Sequence, residues 1–232
     1  MNKYVIKNID RPSEEQIKKA EKYDVSTVYE AQGKIGLMDR RIRTIRDGNF
    51  LVGPAVTVVC PAGDNLMIHA AIEVCKPGDV LVITTIGESD AGMIGELIVS
   101  ALMRQGVVGM IIDAGVRDVA QLREMGFPVW SRAVNSRGTT KQRGGRVNSD
   151  AVCGGVIVRP GDLILADDDG VVVIKRKDID ESLTASEKRM KKEEGTKARI
   201  ADGQFSLDFY GLREVLEEEG VVYLDTTNDL KK

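Results

Sequence analysis

Apolar residues change their spacing several times along the chain, and each change marks an element. Ser13-Glu14-Glu15-Gln16 forms a capping box, and Ile17 and Ala20 share a face of the helix it opens. A second short helix is expected after Asp24, stopping at Gly33, which suits a left-handed C-terminal position. Leu51 to Cys60 (LVGPAVTVVC) is β-branched and strand-like, and Pro54 within it predicts an edge strand or a bulge. Asp64 starts a helix through NLMIHAAIEV, which the Lys76-Pro77-Gly78 turn ends.

From there the pattern becomes rhythmic. DVLVITT is a continuous apolar run, as in a strand buried on both faces. Met93 to Arg104 reads as a helix, with Ile94, Leu97, Ile98, Ala101 and Leu102 at helical spacing and Gly106 closing it. VVGMIID is a second buried strand, Asp118 to Met125 a short helix and PVWSRA a third strand. Such alternation predicts parallel strands joined by right-handed crossovers. NSRGTTKQRGGRVNSD then reads as an exposed loop. VIVRPGDLILADDDGVVVI gives three short strands separated by Pro160-Gly161 and Asp169-Gly170. Asp178 to Ile200 is a long charged helix with a thin apolar face (Ile179, Leu183, Met190), either solvated or packed on another subunit. Leu212 to Asp225 predicts a short helix ended by Gly220 and a terminal strand, VVYLD. The expected organisation is an α/β sheet core with helices packed on it over 1–175 and a C-terminal arm over 176–232, which contacts a neighbouring subunit.

Composition narrows the class. The chain has 232 residues, 42% apolar and 30% charged, which suits one globular domain with or without an appendage. With 33 Lys+Arg against 36 Asp+Glu the net charge is -3, which argues against a nucleic-acid-coating surface. No apolar run approaches the roughly 20 residues of a membrane helix, and no secretory signal is visible, so a cytoplasmic protein without membrane or nucleic-acid partners is expected. Cys60, Cys75 and Cys153 fit no disulfide framework and no CxxC clip. A single histidine, His69, on an apolar helix, excludes sites that need two.

In parallel sheets ligands bind beyond the carboxyl ends of the strands. Two loops qualify, Ile86 to Ile98 after the first strand of the rhythm and Ala114 to Asp118 after the second. Backbone N–H groups of Gly95, Glu96, Leu97 and Ile98 can hold an anion, and glycine permits close approach. Arg117 offers a planar fork for a carboxylate, and Asp118 a hard oxygen ligand for a hydrated divalent cation such as Mg²⁺. Together they describe a pocket for a small α-keto acid, in which metal and guanidinium share the charge of an enolate. A helix-start Asp beside a surface Arg accounts for the same pair without any chemistry. Asp167-Asp168-Asp169-Gly170 reads as a hairpin turn rather than a calcium loop.

GDNLMIHAAIE, IGEL, IIDAGVRDV, FPVWSRA and VRPGDLILADDDGVVVI resemble the ribonuclease-E-regulator-like family, in its 4-hydroxy-4-methyl-2-oxoglutarate / 4-carboxy-4-hydroxy-2-oxoadipate aldolase branch. The arm, SLDFYGLRE, also resembles that branch. The resemblance implies a β/β/α swivelling-domain fold, a homotrimer or dimer of trimers, and active sites at subunit boundaries. It implies a Mg²⁺- or Mn²⁺-dependent lyase that releases pyruvate and decarboxylates oxaloacetate. Gly95 to Ile98 would hold the pyruvyl carboxylate, Arg117 the substrate and Asp118 the metal. Glu30, in VYEAQG, matches a carboxylate near the metal waters, although a solvated surface Glu fits the position as well. Glu193 or Glu194 matches a carboxylate that reaches a neighbouring subunit's site. The pattern departs at Gln121, where lyase-active members favour an acidic residue. A non-catalytic trimer that binds a macromolecule, as the ribonuclease regulators do, is the alternative.

Overall fold

The computed structural model describes residues 2–231. The chain opens with β1 (Tyr4–Val5), α1 (Glu14–Ala20), α2 (Val25–Ala31) and β2 (Arg43–Thr44). There follow β3 (Leu51–Pro61), α3 (Leu66–Ile72), β4 (Val80–Ile86), β5 (Gly92–Ile94), α4 (Glu96–Arg104), β6 (Gly109–Val116), α5 (Val119–Glu124) and β7 (Val129–Val134). Five short strands come next: β8 (Arg146–Val147), β9 (Ala151–Cys153), β10 (Val156–Val158), β11 (Leu163–Asp167) and β12 (Gly170–Ile174). Three α-helices follow, α6 (Ile179–Ala201), α7 (Ser206–Phe209) and α8 (Leu212–Glu218), and then a 3-10 turn at Thr227–Lys231. The capping box at α1 forms in both directions, and the Asp24 carboxylate caps α2 through the Thr27 N–H.

The spatial order of the main sheet is β1-β8-β3-β4-β6-β7-β2, and the central pairs β3–β4, β4–β6 and β6–β7 are parallel. Alternation puts Val56, Val58, Leu81, Ile83, Met110 and Ile112 on one face, in a core shared with α3, α4 and α5. Ala55, Val80, Val82, Ile111 and Trp130 take the other face and pack with residues of β9 to β12. A helix layer, a sheet and a second β layer make up the expected β/β/α core.

Five sequence expectations are corrected. β3 is buried along its length rather than an edge. Residues 51–54 pair with β11 and residues 55–61 with β4, so Pro54, which has no N–H to give, stands where the strand changes partners. Gly92–Ile94 is a strand, not the first turn of a helix, and Ala114 to Val116 is the end of β6 rather than a loop. β6 keeps β4 as its neighbour only to Ile112 and takes β5 from Gly115 onward, because a strand end needs a partner and three residues carry no readable period. The stretch after β7 is anchored: β8 lies between β1 and β3, and the wholly buried Asp64 carboxylate accepts from Thr140 Oγ1, Gln142 N and Arg143 N at 2.6, 2.8 and 3.1 Å. Residues 221–225 form no strand, since no sheet edge pairs with them.

The chain divides into two compact units, 1–187 and 188–232. The division falls inside α6, whose residues Ile179, Ser182, Leu183 and Ser186 are buried with the first unit. Among the described residues of the second unit no side chain is buried. Among the described residues no helix is long and apolar enough to cross a membrane.

Candidate functional site

β5 and β6 end side by side, and α4 and α5 start from those ends. The Arg117 N–H donates to the Ile94 carbonyl at 2.8 Å and locks the two exits together. Asp118 follows with φ +57°, a left-handed conformation uncommon outside glycine. It stands at the N-cap position of α5 but makes no side-chain bond to that helix. Its Oδ2 instead accepts from the Glu96 N–H at 3.2 Å, at the start of α4. The N-cap of α4 is Gly95, which has no side chain, so Asp118 caps a helix other than its own. A Cβ on residue 95 would overlap Asp118 Oδ2 and crowd Arg117 Cγ at 3.1 Å; one on residue 92 would overlap the Asn135 carbonyl. Close approach thus requires both glycines.

Arg117 Nε lies 3.8 Å from Asp118 Oδ2, and both side chains are half-exposed. The fold therefore brings together Gly95, Glu96, Leu97, Ile98, Arg117 and Asp118. It corrects one detail of the anion cradle. The Glu96 amide is engaged by Asp118, and the Ile98 N–H donates to the Gly95 carbonyl at 3.2 Å, so the row is not wholly free. The end of α4 already holds an anion, the carboxylate of Asp118.

The donor set selects among cations. Among the described residues no cluster of three His, Cys, Asp or Glu side chains could cage a metal. A lone, half-exposed carboxylate suits a hard cation that keeps most of its waters, as Mg²⁺ does. Burial pushes the Cys60 and Cys75 thiols up to about 12 and raises Cys153 too, which disfavours the thiolate form at all three.

Glu30 is not beside this group. It lies on α2, which packs against β11 and β12 next to the start of β3, away from the strand ends that carry Arg117 and Asp118. Lys34 Nζ is 3.6 Å from its carboxylate. Glu193 and Glu194 lie in the second unit, where Glu193 pairs with Arg189 at 3.1 Å. Gln121 is exposed on α5. Sequence reasoning missed a second charged group at the same strand ends: Arg132 on β7, Asp113 on β6 and Glu88 after β4. Its signal was present, an arginine inside the strand run PVWSRA, where a charge needs a partner.

Comparison with known proteins gives consistent matches. Residues 24–173 match the RraA-like family, described as Aldolase/RraA. A Halalkalibacterium halodurans protein named "Putative 4-hydroxy-4-methyl-2-oxoglutarate aldolase" is 31% identical over 169 residues, 73% of this chain and 80% of that one. The structure of RraAS2 from Streptomyces coelicolor, titled an unusual member of the RNase ES inhibitor RraA protein family, superposes with TM-score 0.74 at 26% identity, covering 82% of this chain and 99% of that one. An uncharacterised protein from Pseudomonas syringae pv. tomato shares the fold with TM-score 0.77 at 22% identity, covering 84% of this chain and 92% of that one.

Proposed function

This chain belongs to the RraA-like family (Aldolase/RraA), and from that premise we propose that it is a divalent-metal-dependent carbon–carbon lyase. The substrate is a 4-hydroxy-2-oxo acid of the 4-hydroxy-4-methyl-2-oxoglutarate or 4-carboxy-4-hydroxy-2-oxoadipate type, and pyruvate is one product. One observation carries the reading: Asp118, in a left-handed backbone, turns its carboxylate from its own helix to the glycine start of α4, with Arg117 beside it. Backbone strain of this kind costs about 1–3 kcal/mol and gathers at functional sites.

Arg117 binds the substrate through its C1 carboxylate and keto oxygen, and the first turn of α4 adds partial positive charge there. Asp118 holds Mg²⁺ or Mn²⁺, which when bound supplies further positive charge at the keto oxygen. In the retro-aldol step the 4-hydroxyl loses its proton and the C3–C4 bond breaks. Its electron pair passes into the C2–C3 bond, leaving an enolate opposite Arg117. Protonation at C3 then gives pyruvate, and C4 leaves as the second carbonyl compound. Loss of CO₂ from oxaloacetate produces the same enolate, so oxaloacetate decarboxylation belongs to this site as well. Glu30, and Glu193 or Glu194, enter as carboxylates contributed across a subunit boundary in a homotrimer or dimer of trimers.

Pyruvate release from 4-hydroxy-4-methyl-2-oxoglutarate and from oxaloacetate tests the reading. Turnover should require Mg²⁺ or Mn²⁺, stop with EDTA and fall by about 100-fold or more in Asp118→Ala, the scale of losing one group that stabilises developing charge. Absence of turnover with every metal would favour a non-catalytic, ribonuclease-regulator-like binding protein. Similarity to RraAS2 and the uncharged Gln121 support that second reading.

A further inference from the structure

We propose that Arg132 receives the second carboxylate of the substrate, the one distal to the keto group, by taking it in exchange for Glu88. The proposal rests on the lyase reading and extends it to the choice of substrate. The pairing of β6 with β7 shifts register between Ile112↔Ser131 and Gly115↔Ala133, so Asp113 and Ala114 stand opposite the single residue Arg132. Bulges of this kind re-aim side chains. Here the result is a mostly buried ion pair, with Arg132 Nε 2.8 Å from Asp113 Oδ1 and the two side chains 14% and 16% exposed. Asp113 is held in turn by the Gly154 N–H at 3.0 Å. The Arg132–Asp113 contact is coulombic, and the Nε–H makes no directed hydrogen bond among the described residues.

On its outer side Arg132 meets a different kind of partner. Glu88 is 82% exposed, and its Oε1 lies 3.5 Å from Arg132 Nη1, too far for a good hydrogen bond. A carboxylate thus already rests on the open side of a fixed guanidinium, held loosely by an exposed loop. Substrate carboxylate can replace it like for like, and a bidentate fork would then bind more tightly than the present contact.

The same loop links the two arginines. Glu88 touches Arg132, while at Gly92 a Cβ would stand 3.0 Å from Arg117 Cβ. Four residues of chain span at most about 14 Å, which bounds the separation of the two points at which this loop meets the arginines. Arg41, which stands near Glu88 and Asp113, is already bonded to Asp39 at 3.1 Å and is the more exposed of the two cations. Arg132 is the preorganised one.

Calorimetric titration of the full chain in Mg²⁺ with 2-oxoglutarate and with 2-oxovalerate tests this, because the two ligands differ at the distal carboxylate. The native protein should prefer 2-oxoglutarate by about tenfold or more, the scale of a charged hydrogen bond. Arg132→Gln should abolish the preference and leave 2-oxovalerate binding unchanged. Glu88→Gln should tighten 2-oxoglutarate alone, and it leaves the Arg132–Asp113 pair intact should Arg132→Gln fold poorly. A preference that survives Arg132→Gln, equal binding of both ligands to the native protein, or no effect of Glu88→Gln would each overturn the proposal. If oxaloacetate is still decarboxylated in those cases, the lyase reading stands without it; if the native protein neither binds these ligands nor turns over oxaloacetate, both fall.

Discussion

At position 95 a single methyl group would meet the Asp118 carboxylate. Gly95→Ala places a Cβ where Asp118 Oδ2 now sits, so either the carboxylate or the start of α4 must move. Displacements near 1 Å at a reacting centre cost on the order of 100-fold, and pyruvate release should fall on that scale while circular dichroism shows an intact fold. Asp64 makes a prediction about pH. Burial alone pushes its carboxyl up, yet the Thr140 hydroxyl and the backbone N–H groups of Gln142, Leu66 and Arg143 outweigh it and hold the group at about 2. A carboxyl lowered on folding stabilises the native state above its unfolded value, near 3.9, and that contribution disappears as pH falls through the folded value. Acid titration of stability should therefore show a loss on the order of 2 kcal/mol between about pH 4 and pH 2, and Asp64→Asn should flatten that segment. Arg117, Asp118 and Gly95 were legible because residue type and position after apolar strands announce them. Arg132 stood out as a charge inside a strand run, but its pairing with Asp113 was not legible, because a register shift between two strands set them opposite each other.

Individual elements obeyed local rules where the chain was long enough to show a period. α1 and α2 follow their caps, and β4, α5 and α6 follow apolar spacing that any sheet would accept. β5 and β8 are too short to have a period and exist only because neighbouring strands had unpaired edges. α6 supplies a test at this scale. Gly195 lies within it, in the second unit, with open space around the position of a Cβ. Glycine inside an exposed helix costs about 0.5–1 kcal/mol relative to alanine. Gly195→Ala should raise the helical signal and its thermal persistence without altering the unfolding of the first unit; an unchanged helical signal would show that residues 188–201 are held by contacts other than their own helix.

The whole molecule sets core-forming and coreless parts apart. Residues 1–187 hold both apolar clusters, so a chain ending at Glu187 should unfold cooperatively in urea with a midpoint close to that of the full protein. The second unit leaves Phe205, Val222 and Tyr223 at 70%, 74% and 72% exposure, far from the burial that stabilises a core. If Glu193 or Glu194 serves a neighbouring copy's site, the shortened protein should keep its fold and lose turnover, which pyruvate release measures directly. Sequence by itself determined a sheet core with helices packed on it, since alternating buried strands and amphipathic helices pack in few ways. It also determined that Arg117 and Asp118 would lie beside the start of α4, since parallel strands end at one edge. Only tertiary structure decided that Asp118 caps a helix it does not belong to, that Glu30 lies on the helix packed against β11 and β12, and that a register shift sets Arg132 beside Asp113. These are distances between segments remote in the chain, set by register and close approach, which local spacing does not encode.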